Sequence, residues 1–262
     1  QNTDTPLPPE EPAGENPPDG AILDYRLASA SASPVTLEVK DGTGHVVRRF
    51  SSADSPKPPD AKAYPVPAYW FETPATLSAA AGAHRFVWDL RGPRPKAETY
   101  DYSIAAIWGE DTPIEPEGPL VVPGTYTMRL TAGGRTLTQP LTVEEDPRIS
   151  TSREDLVRQY DLAVRTAAEM DRVAATLQEV RARRKSGNTP NAKDLDASEK
   201  ALVRMSARLS GLFSAIESGD SAPTGQAAAE FEDIRATLQK ATGSTGALEL
   251  HADPGDYNPT DD

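Results

Sequence analysis

Acid–base or metal chemistry in this chain would fall to three histidines and 40 acidic residues, since it has no cysteine. His84 and Asp89 are close in sequence and could act as a base and its orienting carboxylate. Because side chains alternate along a strand, we expect the two residues to face opposite sides of a sheet. His251, with Asp253 and Asp256, could bind a hard cation, but the segment lacks the glycine and the spacing of a calcium loop. We therefore predict no catalytic histidine and no metal site.

Pairs of carboxylates are a second kind of candidate, because a glycosidase needs only two. The pairs Glu115/Glu117 and Glu144/Glu145 lie in polar stretches without the apolar surroundings that raise a carboxyl pKa. With 40 acidic residues, such pairs also arise by chance. The sequence has no glycine-rich phosphate loop and no serine nucleophile elbow. We therefore predict solvated surface carboxylates, no catalytic residue and no cofactor.

One basic cluster could contact nucleic acid. It consists of Arg181, Arg183, Arg184 and Lys185. The cluster closes a predicted helix, where cations offset the helix macrodipole. We favour that role and predict no nucleic-acid partner.

The net charge of −13 comes mostly from the two ends of the chain. Residues 1–20 and 245–262 each carry five acids and no base. Acidic, proline-rich ends of this kind indicate solvated segments, so we assign 1–20 to a linker and 243–262 to an acidic tail. Gln1 opens directly into polar sequence, which predicts that no signal peptide lies within this chain. No run approaches the roughly 18 apolar residues of a membrane helix, so we expect no membrane insertion.

Aromatic residues concentrate in two long proline-rich insertions, residues 51–76 and 91–122. Loops of this length in a compact domain usually serve a function or pack on a neighbour. The predicted interaction residues are Tyr64, Tyr69, Trp70, Tyr100, Tyr102 and Trp108. We favour packing on a partner, because the prolines imply rigid excursions, over the alternative of stacking on sugar rings. The partner could be a propeller domain outside this chain or the helical region within it, and the insertions could also fold back on the core of their own domain.

The elements that position these insertions are short strands. Val35, Leu37 and Val39 alternate with polar residues, and a glycine-containing turn at 41–44 follows. Phe86 and Trp88 share a face of a later strand. Six or seven such strands with tight turns predict an antiparallel immunoglobulin-like β-sandwich over residues 21–148.

Helical periodicity begins after Pro147. Thr151 and Glu154 have the spacing of a capping box, which predicts a helix start there. Apolar residues at three- and four-residue steps then mark two long helices and a shorter third. The short loops between them predict an α-helical hairpin or three-helix bundle over residues 149–242. The fold class is therefore α+β, with a sandwich domain followed by a helical domain.

Several phrases in the sequence resemble a known family. They lie at residues 14–25, 35–50, 81–90, 123–130 and 139–148. Together they resemble the C-terminal region of bacterial exported β-propeller proteins with sortilin-like or Asp-box (BNR) repeats, a family often labelled glycosyl hydrolase. The immunoglobulin-like core also resembles the domain of flagellar hook-capping proteins and secretion-linked modules. No Asp-box repeat occurs in this chain, so the hydrolase label has no carrier residues here.

The resemblance implies an exported protein, periplasmic, extracellular or on the outer surface. We therefore expect a non-catalytic accessory module that docks on a β-propeller domain or another protein through its aromatic loops. Two alternatives remain open. The chain could be a carbohydrate- or surface-binding module, or part of a glycoside hydrolase whose catalytic residues lie outside it.

Overall fold

A computed structural model describes residues 18–56, 60–64, 71, 74–98, 100, 114–186 and 192–243. The six strands are β1 (Ala21–Leu27), β2 (Thr36–Lys40), β3 (Val46–Ser51), β4 (Gly82–Trp88), β5 (Gly124–Ala132) and β6 (Arg135–Val143). The three α-helices are α1 (Arg153–Lys185), α2 (Ala192–Ile216) and α3 (Gly225–Gly243), and a single 3₁₀ turn covers Ala61–Ala63. The described part of the chain is therefore α+β, with two antiparallel sheets and three α-helices.

The strands form a two-stranded sheet and a four-stranded sheet. β1 pairs with β4, and the second sheet has the order β3–β2–β5–β6. Aromatic rings meet between the two sheets: Phe50 lies edge-on to Phe86 at 4.7 Å, and Trp88 lies edge-on to Tyr126 at 5.8 Å. The predicted alternation is confirmed in β2, where Leu37 and Val39 are buried between half-buried polar neighbours.

Two tight hairpin turns are present, the first of them at the predicted residues 41–44. In the first, the Asp41 carboxylate accepts hydrogen bonds from the backbone N–H groups of Thr43 and His45, and Gly44 takes a φ of 89°. The second joins β5 to β6 through Gly133 and Gly134, which have φ values of 54° and 77°. Positive φ is strained for residues with a Cβ, so the glycines allow these tight reversals.

The predicted start of α1 is wrong by one residue. Ser152 is the N-cap: its hydroxyl accepts a hydrogen bond from the N–H of Asp155 and donates one to the Asp155 carboxylate. Thr151 instead donates its hydroxyl hydrogen bond to the carbonyl of Asp220, at 2.6 Å. Both Thr151 and Ser152 have side chains suited to capping, and the contact with Asp220 accounts for the choice.

The three helices contribute to one hydrophobic cluster, as their periodicity predicts. Its most buried members are Ala163, Met170 and Leu177 from α1, Leu209 from α2, and Phe231 and Ile234 from α3. Gln159 of α1 donates hydrogen bonds from its side-chain amide to the carbonyl of Ile216, the last residue of α2, and to the carbonyl of Gly219, three residues further along the chain. The first of these bonds satisfies a carbonyl that a helix end leaves without a partner in the helix.

The chain divides into two compact units. One contains both sheets, and the other contains the three helices. The helical unit also takes in Gly92–Asp101 and Ile114–Pro123, which come from the connection between β4 and β5. The sequence predicts that these segments belong to an insertion of the sandwich domain. In the structure, their described residues pack with the helices instead.

Candidate functional site

Two segments of the connection between β4 and β5 pack in the helical unit. We call residues 92–98 and 114–123 of these segments the strap. Its two halves meet at their bases, where the N–H of Gly92 donates to the carbonyl of Pro119 at 2.9 Å. The backbones approach so closely that a Cβ on Gly118 would lie 1.9 Å from the carbonyl oxygen of Gly92. Gly118 is therefore required by this close approach.

A tight turn directs the chain out of β4 toward the strap. The Asp89 carboxylate accepts a hydrogen bond from the N–H of Arg91, and Leu90 takes the left-handed conformation with a φ of 60°. The indole of Trp88 donates to the carbonyl of Arg91 at 2.9 Å. Asp89 thus has a structural role, while His84 makes a separate bond from its ring to the carbonyl of Ala80 at 2.7 Å.

Three side chains of the helical unit accept hydrogen bonds from the strap backbone. Asp171 of α1 accepts from the N–H of Lys96 at 2.8 Å, and Ser206 of α2 accepts from the N–H of Glu98 at 3.0 Å. Glu217, just after α2, accepts from the N–H of Leu120 at 3.1 Å. Burial raises the pKa of the Asp171 carboxyl, and the Lys96 bond opposes that shift. The helices thereby supply partners to backbone donors that would otherwise be unpaired.

The basic cluster at the end of α1 is largely engaged with carboxylates. Arg181 forms ion pairs with Glu98 of the strap and with Glu199 of α2, and Arg184 pairs with Glu199 as well. The pKa of Arg181 is raised, and the largest cause is the hydrogen bond from the Arg181 side chain to Glu98. Because Arg181 is partly exposed, we assign these pairs to positioning the strap rather than to stability.

Apolar contacts accompany the polar ones. Ala97 packs against the shared core of the helices, and Pro116 is among the fully buried side chains. Val121 is also buried. The strap is therefore part of the packed interior of the helical unit at both of its halves.

Two of the six predicted interaction residues fall within the described part of the chain. Tyr64 is half-buried and its ring lies 5.4 Å from that of Phe71, within the same insertion. Tyr100 is also half-buried, two residues beyond the strap's Glu98. The other four, Tyr69, Trp70, Tyr102 and Trp108, lie outside the described residues, so the predicted aromatic surface stays a prediction.

The carboxylates of the two candidate pairs are mostly exposed. Glu115, Glu144 and Glu145 are exposed, and Glu117 is half-buried. The group at His251 lies outside the described residues. In the part of the chain that the structure describes, no group of three or more His, Asp or Glu side chains could hold a metal ion.

Sequence reasoning missed one buried carboxylate, Glu169 of α1. Its pKa is raised by burial, although Arg172 lies 2.6 Å away and Arg235 of α3 lies 3.4 Å away. Perturbed carboxyl pKa values mark active sites or internal ion pairs. With arginines from two helices around it, Glu169 acts as an internal ion-pair partner. The only signal in the sequence is its position beside Met170 on the apolar stripe of α1.

We compared the chain with known proteins. No family model, curated protein or solved structure matches it. Among the described helices, none has the length and apolar character needed to cross a membrane.

The hydroxyl that holds the strap should be distinguishable from a neighbouring one that does not. Ser206→Ala should destabilise the helical unit by about 1 kcal/mol, because it leaves the N–H of Glu98 without its partner. Ser210→Ala is the matched control: Ser210 is also buried on α2, at 4% exposure against 3% for Ser206, and makes no hydrogen bond with another described residue. Urea denaturation followed by circular dichroism at 222 nm measures both, and equal losses would contradict the role of Ser206.

Proposed function

We propose that this chain is a non-catalytic interaction module of an exported β-propeller-type protein, built as an immunoglobulin-like sandwich with a helical bundle. The observation that carries the proposal is the strap, where three helix-unit side chains accept hydrogen bonds from the backbone on both sides of residues 99–113. Backbone hydrogen bonds at both ends of the insertion fit a binding element whose two ends have fixed positions.

Two features of the units support the finer fold assignment. The aromatic contacts from β4 to β3 and β5 are those expected of two sheets with facing inner surfaces, as in an immunoglobulin-like sandwich. Helices α1, α2 and α3 all contribute residues to a shared hydrophobic cluster, and a cluster of this kind is expected in a three-helix bundle.

The aromatic residues of the two insertions would supply the binding energy. Large aromatic side chains account for much of the energy at protein interfaces. Tyr100, Tyr102 and Trp108 are close in sequence to the strap, and Tyr69 and Trp70 belong to the other insertion. The partner we propose is the propeller domain of the same exported protein or another protein of that assembly, with export as the implied location.

Three carboxylates that contact the strap or the turn before it support a structural rather than a hydrolytic role. Asp89, Asp171 and Glu217 each accept a hydrogen bond from a backbone N–H. A general acid or nucleophile would instead need a substrate-facing position beside a second reactive group. The described residues offer no such arrangement around these three.

We therefore expect the purified chain to hydrolyse neither glycosides nor peptides. The test is a broad panel of chromogenic glycosides and peptides assayed with the whole chain. Background rates throughout the panel are the expected result. Turnover that follows the purified chain and is lost when a single carboxylate is changed to its amide would overturn the non-catalytic assignment.

A further inference from the structure

In the part of the chain that the structure describes, no second strand pairs with β1 on the edge opposite β4. Among the described residues, β1 has backbone hydrogen bonds with β4 alone. A free strand edge offers a row of N–H and C=O groups on which another strand can pair. The seven pairs from Ala21↔Trp88 to Leu27↔Gly82 run without a bulge, so β1 is regular along its whole length.

The outer strands of the larger sheet carry features that oppose such pairing. β6 contains Pro140, which has no N–H to donate. β3 carries Arg48 and Arg49 in succession and pairs with β2 across an irregularity between Val39 and Lys40. Prolines, charges and bulges are the usual protections of an exposed edge. β1 has neither a proline nor a bulge, and its two charges have opposite signs.

Those two charges are spaced for pairing between identical strands. Asp24 and Arg26 lie on the outer face of β1. Asp24 forms an ion pair with Arg85 of β4 at 2.9 Å, whereas Arg26 has no ion-pair partner among the described residues. If two copies of β1 run antiparallel with Tyr25 opposite Tyr25, each Asp24 lies opposite Arg26 of the second copy. Directly opposed residues share a face, so both ion pairs form on the outer side.

We propose that β1 pairs with β1 of a second copy of this chain in that register, joining the two small sheets into one four-stranded sheet. Leu23 would then lie opposite Leu27 of the second copy on the inner face. Ile22, which is 43% exposed, would lie diagonally across from Arg26 of the second copy, whose aliphatic stem can cover it. This inference does not depend on the proposed function.

Charge complementarity singles out β1 over β4, whose outer edge also has no partner strand among the described residues. The charged side chain of β4 is Arg85. Two copies of β4 paired about their centre would place arginines opposite each other, which is destabilising. A second copy therefore fits the edge of β1.

The test is sedimentation equilibrium of the whole chain over a concentration series reaching about 1 mM. We expect a reversible dimer, and we expect Arg26→Asp to raise its Kd by about tenfold or more, because two cross-strand ion pairs become two like-charge pairs. Arg135→Asp makes the same charge change at an exposed position of β6 and should leave the Kd unchanged. Circular dichroism checks folding. If Arg26→Asp does not fold, Arg26→Ser should give a smaller shift in the same direction.

Mixing two variants tests the register itself. Asp24→Arg alone should also raise the Kd, because it places arginines opposite each other at both cross-strand pairs. A mixture of Asp24→Arg and Arg26→Asp restores opposite charges at both positions, and mixed dimers should form. A wild-type chain that stays monomeric, a Kd unchanged by Arg26→Asp, or two folded variants that do not associate on mixing would each overturn the proposal.

Discussion

Trp88→Ala is expected to destabilise the sheet unit by about 3–5 kcal/mol, the range for truncating large buried aromatic side chains. Trp88 is fully buried, at 0% exposure, and its ring lies edge-on to Tyr126 of the other sheet. Its indole N–H also donates to the carbonyl of Arg91. The substitution therefore removes core volume, an aromatic contact and a hydrogen bond of the turn after β4.

Hydrogen exchange of the β4 and β5 amides measures this loss within the sheet unit. Leu137→Ala is the control, since Leu137 is 69% exposed and surface truncations usually stay within about 0.5 kcal/mol. Comparable protection in wild type and Trp88→Ala would mean that the two sheets do not share a core at this residue.

Gly118→Ala should separate the two halves of the strap where they meet, at Gly92 and Gly118. The new Cβ would lie 1.9 Å from the carbonyl oxygen and 2.5 Å from the carbonyl carbon of Gly92, both backbone atoms. Relief requires the two halves to separate, which breaks the bond from the N–H of Gly92 to the carbonyl of Pro119. We expect a loss of about 3 kcal/mol, at the upper end of overpacking costs.

A second glycine provides the matched control for that substitution. Gly211 lies within α2, and a Cβ there would meet nothing within 4 Å. Gly211→Ala should stabilise the helical unit by about 0.5–1 kcal/mol, because alanine favours the helix. Urea denaturation at 222 nm compares the two variants. A Gly118→Ala chain as stable as wild type would show that the strap does not close at Gly92.

The strands and helices could be read from sequence because their signals are local. Val35, Leu37 and Val39 repeat with the period of a strand, and the stripe through Met170 and Leu177 has the period of a helix. The glycine turns after β2 and β5 are equally local signals. By contrast, the N-cap choice between Thr151 and Ser152 depends on Asp220, 69 residues away in sequence.

The contacts of the strap could not be derived from sequence for the same reason, although the helical region was one of the two partners expected for the insertions. Lys96 meets Asp171 and Glu98 meets Ser206 across separations of 75 and 108 residues. Its residues have neither helical nor strand periodicity, and its bonds to the helices are made by backbone N–H groups, which every residue but proline has. The glycines and prolines of 92–98 and 114–123 indicated a loop, but nothing in that pattern identified the helices as its neighbour.

The claim that this chain is an interaction module is tested most directly by binding. Titration calorimetry measures its affinity for the propeller domain that we propose as its partner, expressed as a separate polypeptide. We expect Trp70→Ser/Trp108→Ser to weaken binding by about 100-fold or more, since interface tryptophans are frequent hot spots. Leu137→Ser, at an exposed position of β6, should leave the affinity unchanged. Unchanged affinity in a double variant that folds normally by circular dichroism, or a parent protein without a propeller, would contradict the account.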